Sequence, residues 1–182
     1  MRLFSAFTLC ALVASFTALN VTAEEKADKP AEVKMFKTGS LSVPAVFKKT
    51  KPANFVIEEE FKAGEGEKAA RLTMMHASGG VEANIKRWKG QFAGGDPEAQ
   101  KEEAFDVGNY KVHVVDISGS FAERMGGGPF AGGKVVQRKN HAMVGAIIKS
   151  PDGPTYFVKL IGPAETVTAN REAMVKMIKA AK

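Results

Sequence analysis

Three polar side chains are spaced to share one face of a predicted helix over residues 81–92 (VEANIKRWKGQF). Asn84, Arg87 and Gln91 stand at i, i+3 and i+7, which brings their polar ends together on a helix. The arginine offers a planar fork of N–H donors and each amide offers a donor and an acceptor, which suits recognition of a backbone or a carboxylate. None of the three exchanges a proton near neutral pH. The spacing predicts a binding surface rather than a catalytic one. The alternative is that these side chains fix the helix to neighbouring loops by satisfying buried carbonyl groups.

A second candidate binding region is the long, glycine-rich and basic segment 119–140. Connections of this length are often mobile binding loops, and four cations here would attract an anionic group: Arg124, Lys134, Arg138 and Lys139. A solvated loop without a ligand is the alternative. Residues 128–134 (GPFAGGK) match the spacing of a phosphate loop, but Val135 stands where Ser or Thr holds magnesium, and no helix start follows. The segment predicts a mobile basic loop, without a nucleotide or another cofactor.

The histidines show no pattern of a metal site. His76, His113 and His141 are isolated, without a His or Glu four residues later and without the spacing of known zinc sites. We therefore expect no metal, and we expect His76 and His113 to be hydrogen-bonded histidines of a sheet.

Carboxylates offer the material for a rival, enzymatic interpretation. Glu58 and Glu60 would share a strand face about 7 Å apart along an extended chain, a separation compatible with a carboxylate pair in glycoside hydrolysis. A solvated strand face is the alternative. A small secreted hydrolase would have to assemble its site from His76 or His141 with Asp116 or this carboxylate pair. The sequence has neither a Gly-x-Ser-x-Gly nor a His-Glu-x-x-His motif, and its single cysteine lies in the N-terminal apolar segment. Enzymatic activity is therefore the less favoured prediction.

The elements that must position these residues follow from hydrophobic periodicity. Alternating or β-branched stretches predict strands over residues 54–61, 69–77, 104–107, 109–118, 142–149 and 155–161. In the first strand Phe55, Ile57 and Phe61 share the buried side. The last two strands, joined by a Pro-Asp-Gly-Pro turn, are apolar on both faces, so helices must cover the sheet on each side. The available helices are residues 81–92 and the C-terminal segment after Gly162-Pro163. The predicted class is α+β, an antiparallel β-sheet flanked by helices on both faces.

Composition and the N-terminus predict one exported domain. The chain has 182 residues, of which 45% are hydrophobic and 25% charged, with one cysteine, so a disulfide framework is excluded. The first 23 residues carry one charge, Arg2, before an apolar run, and end in Val-Thr-Ala, which is typical of a cleaved signal peptide. Residues 24–34 predict a flexible charged leader, and residues 35–182 a single domain. Loss of Arg2 changes the formal net charge from +6 to +5. We expect no membrane span after cleavage, and nucleic acid is not an expected partner of an exported chain.

The element order and two short motifs carry a resemblance to a known group. Residues 84–91 (NIKRWKGQ), 156–163 (YFVKLIGP) and 166–167 (TV) resemble segments of exported bacterial proteins that look similar in fold to PsbP, the extrinsic photosystem subunit. The Mog-type Ran-binding factors share that fold. The resemblance implies a three-layer αβα sandwich that serves as a protein-binding platform rather than an enzyme. No PsbP or Ran-contacting residue can be matched to this chain, so neither the photosystem role nor the transport role is implied.

Taken together, these patterns predict an exported, periplasmic or secreted, non-catalytic binding or accessory protein of the cell envelope. Its expected partner is another envelope protein or an anionic ligand. The hydrolase described above is the first alternative. A stress or structural factor of the envelope without a defined site is the second.

Overall fold

The computed structural model of the protein describes residues 30–125 and 133–182. These residues form ten strands, two α-helices and two short 3₁₀ helices. The strands are β1 Ala31–Met35, β2 Gly39–Val43, β3 Lys48–Thr50, β4 Glu59–Ala63, β5 Ala70–Ala77, β6 Phe92–Ala93, β7 Lys101–Val107, β8 Tyr110–Met125, β9 Lys134–Lys149 and β10 Thr155–Pro163. The helices are α1 Val81–Lys89 and α2 Ala164–Lys179, and the 3₁₀ helices are Gly66–Lys68 and Pro97–Ala99.

An eight-stranded sheet organises the described residues. Its strand order is β3-β4-β5-β10-β9-β8-β6, and β7 pairs with β8 beside β6. Every pairing is antiparallel. The strands β1 and β2 form a separate antiparallel hairpin. The α+β class predicted from the sequence is therefore confirmed, and the structure is mostly antiparallel sheet with two helices.

Side chains that alternate along β10 enter two different apolar clusters. Tyr156, Val158 and Leu160 belong to the larger cluster, which includes the buried residues of α2 and of the β1–β2 hairpin. Phe157 belongs to the smaller cluster, where Ile85 and Trp88 of α1 pack against alternate residues of β8 and β9. Because successive side chains of a strand point to opposite faces, the two clusters lie on opposite sides of β10. The apolar side chains predicted on both faces of β10 are therefore each buried in one of these clusters.

The hairpin β8–β9 replaces the predicted loop over residues 119–140. Strand β8 continues to Met125, and β9 already begins at Lys134, so most of that segment is strand and the prediction of a long loop is wrong. An irregularity in register between Gly119 and Phe121 marks a bulge, beyond which the two strands pair as far as Met125 and Lys134. Such a bulge bends a hairpin. The strand beginning at Lys134 also lacks the helix start that a phosphate loop needs. Residues 126–132 lie outside the described part of the chain.

The predicted strand over residues 54–61 is also partly wrong. Strand β4 begins only at Glu59. Before it, the side-chain oxygen Oδ1 of Asn54 accepts hydrogen bonds from the backbone N–H groups of Val56 (3.0 Å) and Ile57 (3.3 Å). This local turn competes with strand pairing. As a result Phe55, expected on the buried side, is 91% exposed.

The domain begins earlier than predicted. Strand β1 starts at Ala31 and pairs with β2, and its Val33 is buried in the larger cluster. The boundary predicted at residue 35 is therefore too late, because alternate residues of 31–35 reach the core. The predicted signal peptide, residues 1–23, and the leader as far as residue 29 lie outside the described residues.

Candidate functional site

A cavity of about 700 Å³ opens on the sheet face that also carries α1. Its floor is formed by side chains at alternate positions of β5, β9 and β10, namely Arg71, Thr73, Met75, His141, Met143, Lys159 and Ile161. The distal part of the β8–β9 hairpin forms one wall, Gln91 stands just beyond α1, and the loop residues Asn54 and Ile57 complete the lining. We call this cavity the cationic groove.

Positive charge dominates the groove. Four basic side chains line it: Arg71, Arg124, Arg138 and Lys159. The lining carboxylates are Glu67 and Glu123. Nε of Arg138 donates to Oε2 of Glu123 at 2.7 Å, and Arg71 is paired with Glu60, so Arg124 and Lys159 are the lining cations without a carboxylate partner among the described residues. A groove with this balance attracts anions, and its partly enclosed walls strengthen the attraction.

Lys159 is the most unusual of these cations because it lies near the middle of β10, between the buried residues Val158 and Leu160. Its Nζ stands 5.9 Å from the ring centroid of Trp88. Within residues 30–125 and 133–182, no carboxylate lies within ion-pairing distance of this ammonium group. Burial, together with the positive charges of Arg87 and Arg71, lowers the pKa of Lys159 to about 8. The group is therefore a cation near neutral pH that lacks a protein counter-charge in the described structure.

Arg71 is held at the groove by a buried carboxylate. Glu60 is 3% exposed, and it accepts hydrogen bonds from Nε (2.9 Å) and Nη2 (3.2 Å) of Arg71 and from the backbone N–H of Ala53 (2.8 Å). This paired geometry fixes the guanidinium plane. Arg71 is thus positioned at the groove floor by a residue that does not itself line the cavity.

Comparison with known proteins was made on this architecture. No protein-family model matches the sequence, and neither does any curated protein. The solution structure of cyanobacterial PsbP (CyanoP) from Synechocystis sp. PCC 6803 superposes with a TM-score of 0.50, covering 93% of this chain and 98% of that chain. The fold is PsbP-like. At 8% sequence identity, the similarity to PsbP describes the fold alone.

In the PsbP-like domain, three of the six predicted binding residues line the cationic groove and three do not. Gln91, Arg124 and Arg138 line the cationic groove. Asn84, Arg87 and Lys134 do not belong to its lining. Helix α1 ends at Lys89, so Gln91 is not on the helix, and the predicted common helical face of three residues is wrong.

The contacts of Asn84 fix α1 to the neighbouring loop, which was the alternative to a role in binding. Its buried Nδ2 donates to the carbonyl oxygens of Ser78 (3.1 Å) and Gly80 (2.9 Å), while its Oδ1 accepts from Nη2 of Arg87 (2.8 Å). Asn84 therefore ties α1 to the carbonyl groups of the segment that precedes it, residues 78–80. In the PsbP-like domain it secures the helix beside the groove.

The residues proposed for the alternative hydrolase are only partly brought together. Glu58 Oε1 accepts from the backbone N–H of His76 at 3.0 Å and also contacts Nδ1 of the same ring, which confirms a hydrogen-bonded His76. Glu60 is engaged with Arg71 instead, so the Glu58/Glu60 pair considered for the hydrolase does not form. The solvated strand face expected for these two residues is wrong for Glu60, which is buried. His141 Nδ1 lies 3.0 Å from the carbonyl oxygen of Lys139.

Asp116 is used by another contact of the PsbP-like domain. Nε and Nη2 of Arg171 donate to its two carboxylate oxygens at 2.7 and 2.8 Å, and Nη2 also reaches Glu103 at 2.8 Å. These contacts fasten α2 to β7 and β8, beside a second cavity of about 740 Å³. Three carboxylates and two cations line this second cavity, against two carboxylates and four cations in the cationic groove, so the second cavity has less attraction for an anion. The contact between Asp116 and a histidine that the alternative hydrolase could use is therefore not formed.

Two further findings concern the described residues as a whole. None of the helices described is long and apolar enough to cross a membrane. Within the same residues, no three side chains of His, Cys, Asp or Glu are grouped to hold a metal ion.

Changing Glu60 to glutamine is expected to alter the acid stability of the PsbP-like domain. Burial alone would raise the pKa of Glu60, but the hydrogen bond and charge of Arg71 and the Ala53 amide outweigh it, and the pKa is lowered. A lowered folded-state pKa contributes stability above the unfolded-state value, about 4.3, and this contribution is lost as the pH falls through the folded-state value. Glu60→Gln should therefore be less stable than wild type at pH 7, and the two should converge below about pH 4.

Urea unfolding between pH 3 and pH 7 measures this convergence. Glu59→Gln removes the neighbouring carboxylate, which pairs with exposed Lys49, and provides the charge-matched control. A constant difference between wild type and Glu60→Gln at every pH would contradict the role given to the Glu60 carboxylate.

Proposed function

We propose that this protein is an exported, non-catalytic binding protein that takes an anionic group in the cationic groove. The observation that carries the proposal is Lys159, a half-buried lysine of the central strand β10 with no carboxylate partner among the described residues. An enclosed charge without a counter-charge is unfavourable in the free protein, and a bound anion would relieve that cost. The remaining groove cations surround the same space.

The chemistry of the surrounding groups favours a phosphate or carboxylate ligand. Arg124 is exposed and lines the groove, so its planar fork of donors is accessible to two oxygens of one anion. Gln91 adds an amide that can donate to the same group. The guanidinium groups of Arg71, Arg124 and Arg138 stay protonated, so they are suited to hold an anion and not to transfer a proton.

The architecture and the N-terminus support an accessory role outside the cytoplasm. The separate clusters on the two faces of β10 support a three-layer αβα sandwich, with α1 on the groove face and α2 on the other. Residues 1–23 have the pattern of a signal peptide, which supports export to the periplasm or the medium. The chain after residue 23 has no cysteine, so it would form no disulfide in an oxidising compartment.

Removing two groove arginines is expected to weaken anion binding. In isothermal titration calorimetry with glycerol 3-phosphate and with citrate at low salt, Arg124→Gln/Arg138→Gln should bind at least one of them about tenfold more weakly than wild type. The affinity should also fall as the salt concentration rises. Lys111→Gln/Lys176→Gln removes two positive charges elsewhere and should bind as wild type does. Equal affinity in the two double variants, or no binding by wild type, would contradict the proposal.

The contact between Glu58 and His76 supports a second candidate, the small hydrolase. A carboxylate that holds one ring nitrogen of a histidine fixes the orientation of the other. Tyr156 lies beside this pair, its ring centroid 5.1 Å from that of His76, and burial followed by the negative charge of Glu58 raises the pKa of its hydroxyl. Hydrolysis of ester, phosphoester or glycoside chromogenic substrates that is abolished in His76→Ala would support this candidate. Equal background rates in wild type and His76→Ala would eliminate it.

A further inference from the structure

The loop before β4 displays apolar side chains at the rim of the cationic groove. Phe55 is 91% exposed and Val56 is 48% exposed. Their neighbours on either side, Asn54 and Ile57, both line the groove. The two exposed side chains therefore stand beside the opening of the proposed anion site.

Hydrogen bonds hold this loop in its exposed position. Asn54 Oδ1 accepts from the backbone N–H groups of Val56 and Ile57. The N–H of Ala53 donates to the buried carboxylate of Glu60, and the N–H of Glu58 donates to the carbonyl oxygen of Met74 at 3.0 Å. Because both ends of the loop are anchored to the sheet, Phe55 is presented to water by a defined backbone. The same backbone holds Val56 beside it, so the loop exposes two adjacent apolar side chains, and contiguous apolar surface marks interaction sites.

A row of cations leads from the sheet edge into the groove. Lys48 of β3, Lys62 of β4 and Arg71 of β5 are successive partners in the strand register. Lys48 and Lys62 are exposed, and Arg71 lines the groove. Directly opposed side chains of neighbouring strands point to the same face. The face beside Phe55 therefore combines apolar side chains with a band of positive charge.

We propose that this face docks on an anionic lipid bilayer, with Phe55 and Val56 entering the interfacial region and a lipid phosphate group occupying the groove near Lys159. The inference rests on the proposed function, since it names the source of the anion. Aromatic and aliphatic side chains gain from entering the boundary between headgroups and acyl chains, and nearby lysines and arginines are attracted to anionic headgroups. Charge complementarity selects an anionic lipid surface over an uncharged apolar partner, because the apolar loop borders the groove that the cations line.

Vesicle sedimentation tests the docking. The protein, expressed from its full coding sequence and purified without detergent, is mixed with vesicles of phosphatidylcholine containing 30% phosphatidylglycerol, or of phosphatidylcholine alone. We expect binding to the anionic vesicles to exceed binding to neutral vesicles at least tenfold. Phe55→Ser/Val56→Ser and, separately, Lys159→Met should each reduce it at least fivefold. Met125→Ser/Val135→Ser removes two partly exposed apolar side chains of the β8–β9 hairpin and serves as the matched control.

Titration of the same variants with soluble glycerol 3-phosphate separates the two proposals. If glycerol 3-phosphate binds and anionic vesicles do not, the docking is overturned and the groove remains an anion site. If vesicles bind Lys159→Met as well as wild type, the lipid phosphate does not occupy the groove, and the inference is overturned. Equal vesicle binding by Phe55→Ser/Val56→Ser and the control overturns the apolar contact. Circular dichroism melting of each variant establishes that all of them are folded.

Discussion

Replacing Trp88 by alanine is expected to lower the free energy of unfolding by about 3–5 kcal/mol. Trp88 is fully buried between α1 and the sheet, and its ring packs against Phe157 with a centroid distance of 4.9 Å in an edge-to-face arrangement. Truncation would remove most of the contact between α1 and the smaller cluster and leave a cavity. Urea unfolding followed by circular dichroism measures the change, because Trp88 is the single tryptophan and its fluorescence is lost in the variant.

Gly145 provides an independent check on this packing. A Cβ atom at residue 145 would lie 2.6 Å from Cζ3 of Trp88, closer than packed atoms allow. Gly145→Ala should therefore destabilise the wild type by about 1–3 kcal/mol. In the Trp88→Ala background, where the ring is gone, the same substitution should cost much less. Additive effects of the two substitutions would contradict the direct contact, since residues that share no contact are normally additive.

The contact between α1 and the sheet shows what the sequence was able to predict. Residues 81–92 carry apolar side chains at helical spacing, and the strands 142–149 and 155–161 are apolar on both faces, so helical cover was required. The structure places Ile85 and Trp88 in a cluster with Phe157. Local periodicity was sufficient here because burial on each side of these elements leaves a regular pattern.

The β8–β9 hairpin shows where periodicity is insufficient. Residues 122–125 and 134–137 extend beyond the part of β8 that pairs with β6, and their side chains are half-buried or exposed. A two-stranded ribbon that buries neither face has no hydrophobic alternation to predict it. Its pairing is supported by backbone hydrogen bonds and by the contact between Arg138 and Glu123, neither of which is visible in the sequence.

The candidate site was predicted in part for a related reason. Arg124 and Arg138 were selected because they lie in a basic segment, whereas Arg71 and Lys159 come from separate strands that only the sheet brings together. One local signal was present. Lys159 interrupts the apolar strand 155–161 at a position that alternates with Phe157 and Ile161. A lone cation in such a strand indicates either a polar partner or an opening in the core.

Replacing Lys159 by methionine is expected to stabilise the protein and to weaken anion binding. Methionine keeps much of the length of the side chain and removes the enclosed charge, so the free energy of unfolding at pH 7 should rise by about 1–3 kcal/mol. The affinity for glycerol 3-phosphate should fall about 10- to 100-fold, because a charge-assisted hydrogen bond is lost. Urea unfolding and titration calorimetry on the same preparation measure both effects. A purely structural lysine would not change them in opposite directions.

The pH dependence of stability and of anion affinity provides a second test of the role of Lys159. The pKa of Lys159 is lowered to about 8 in the folded protein, whereas an unfolded lysine titrates near 10.4. Between these values the unfolded state binds more protons, so wild-type stability should gain a contribution that rises with pH from about 8 to about 10. Anion affinity should fall over the same interval as the ammonium group loses its proton. Both dependences should disappear in Lys159→Met and persist in Lys111→Met, which removes an exposed charge. If the anion affinity of Lys159→Met falls above pH 8 as steeply as that of wild type, another residue is the titrating group. Lys159 would then not be the cation that binds the anion.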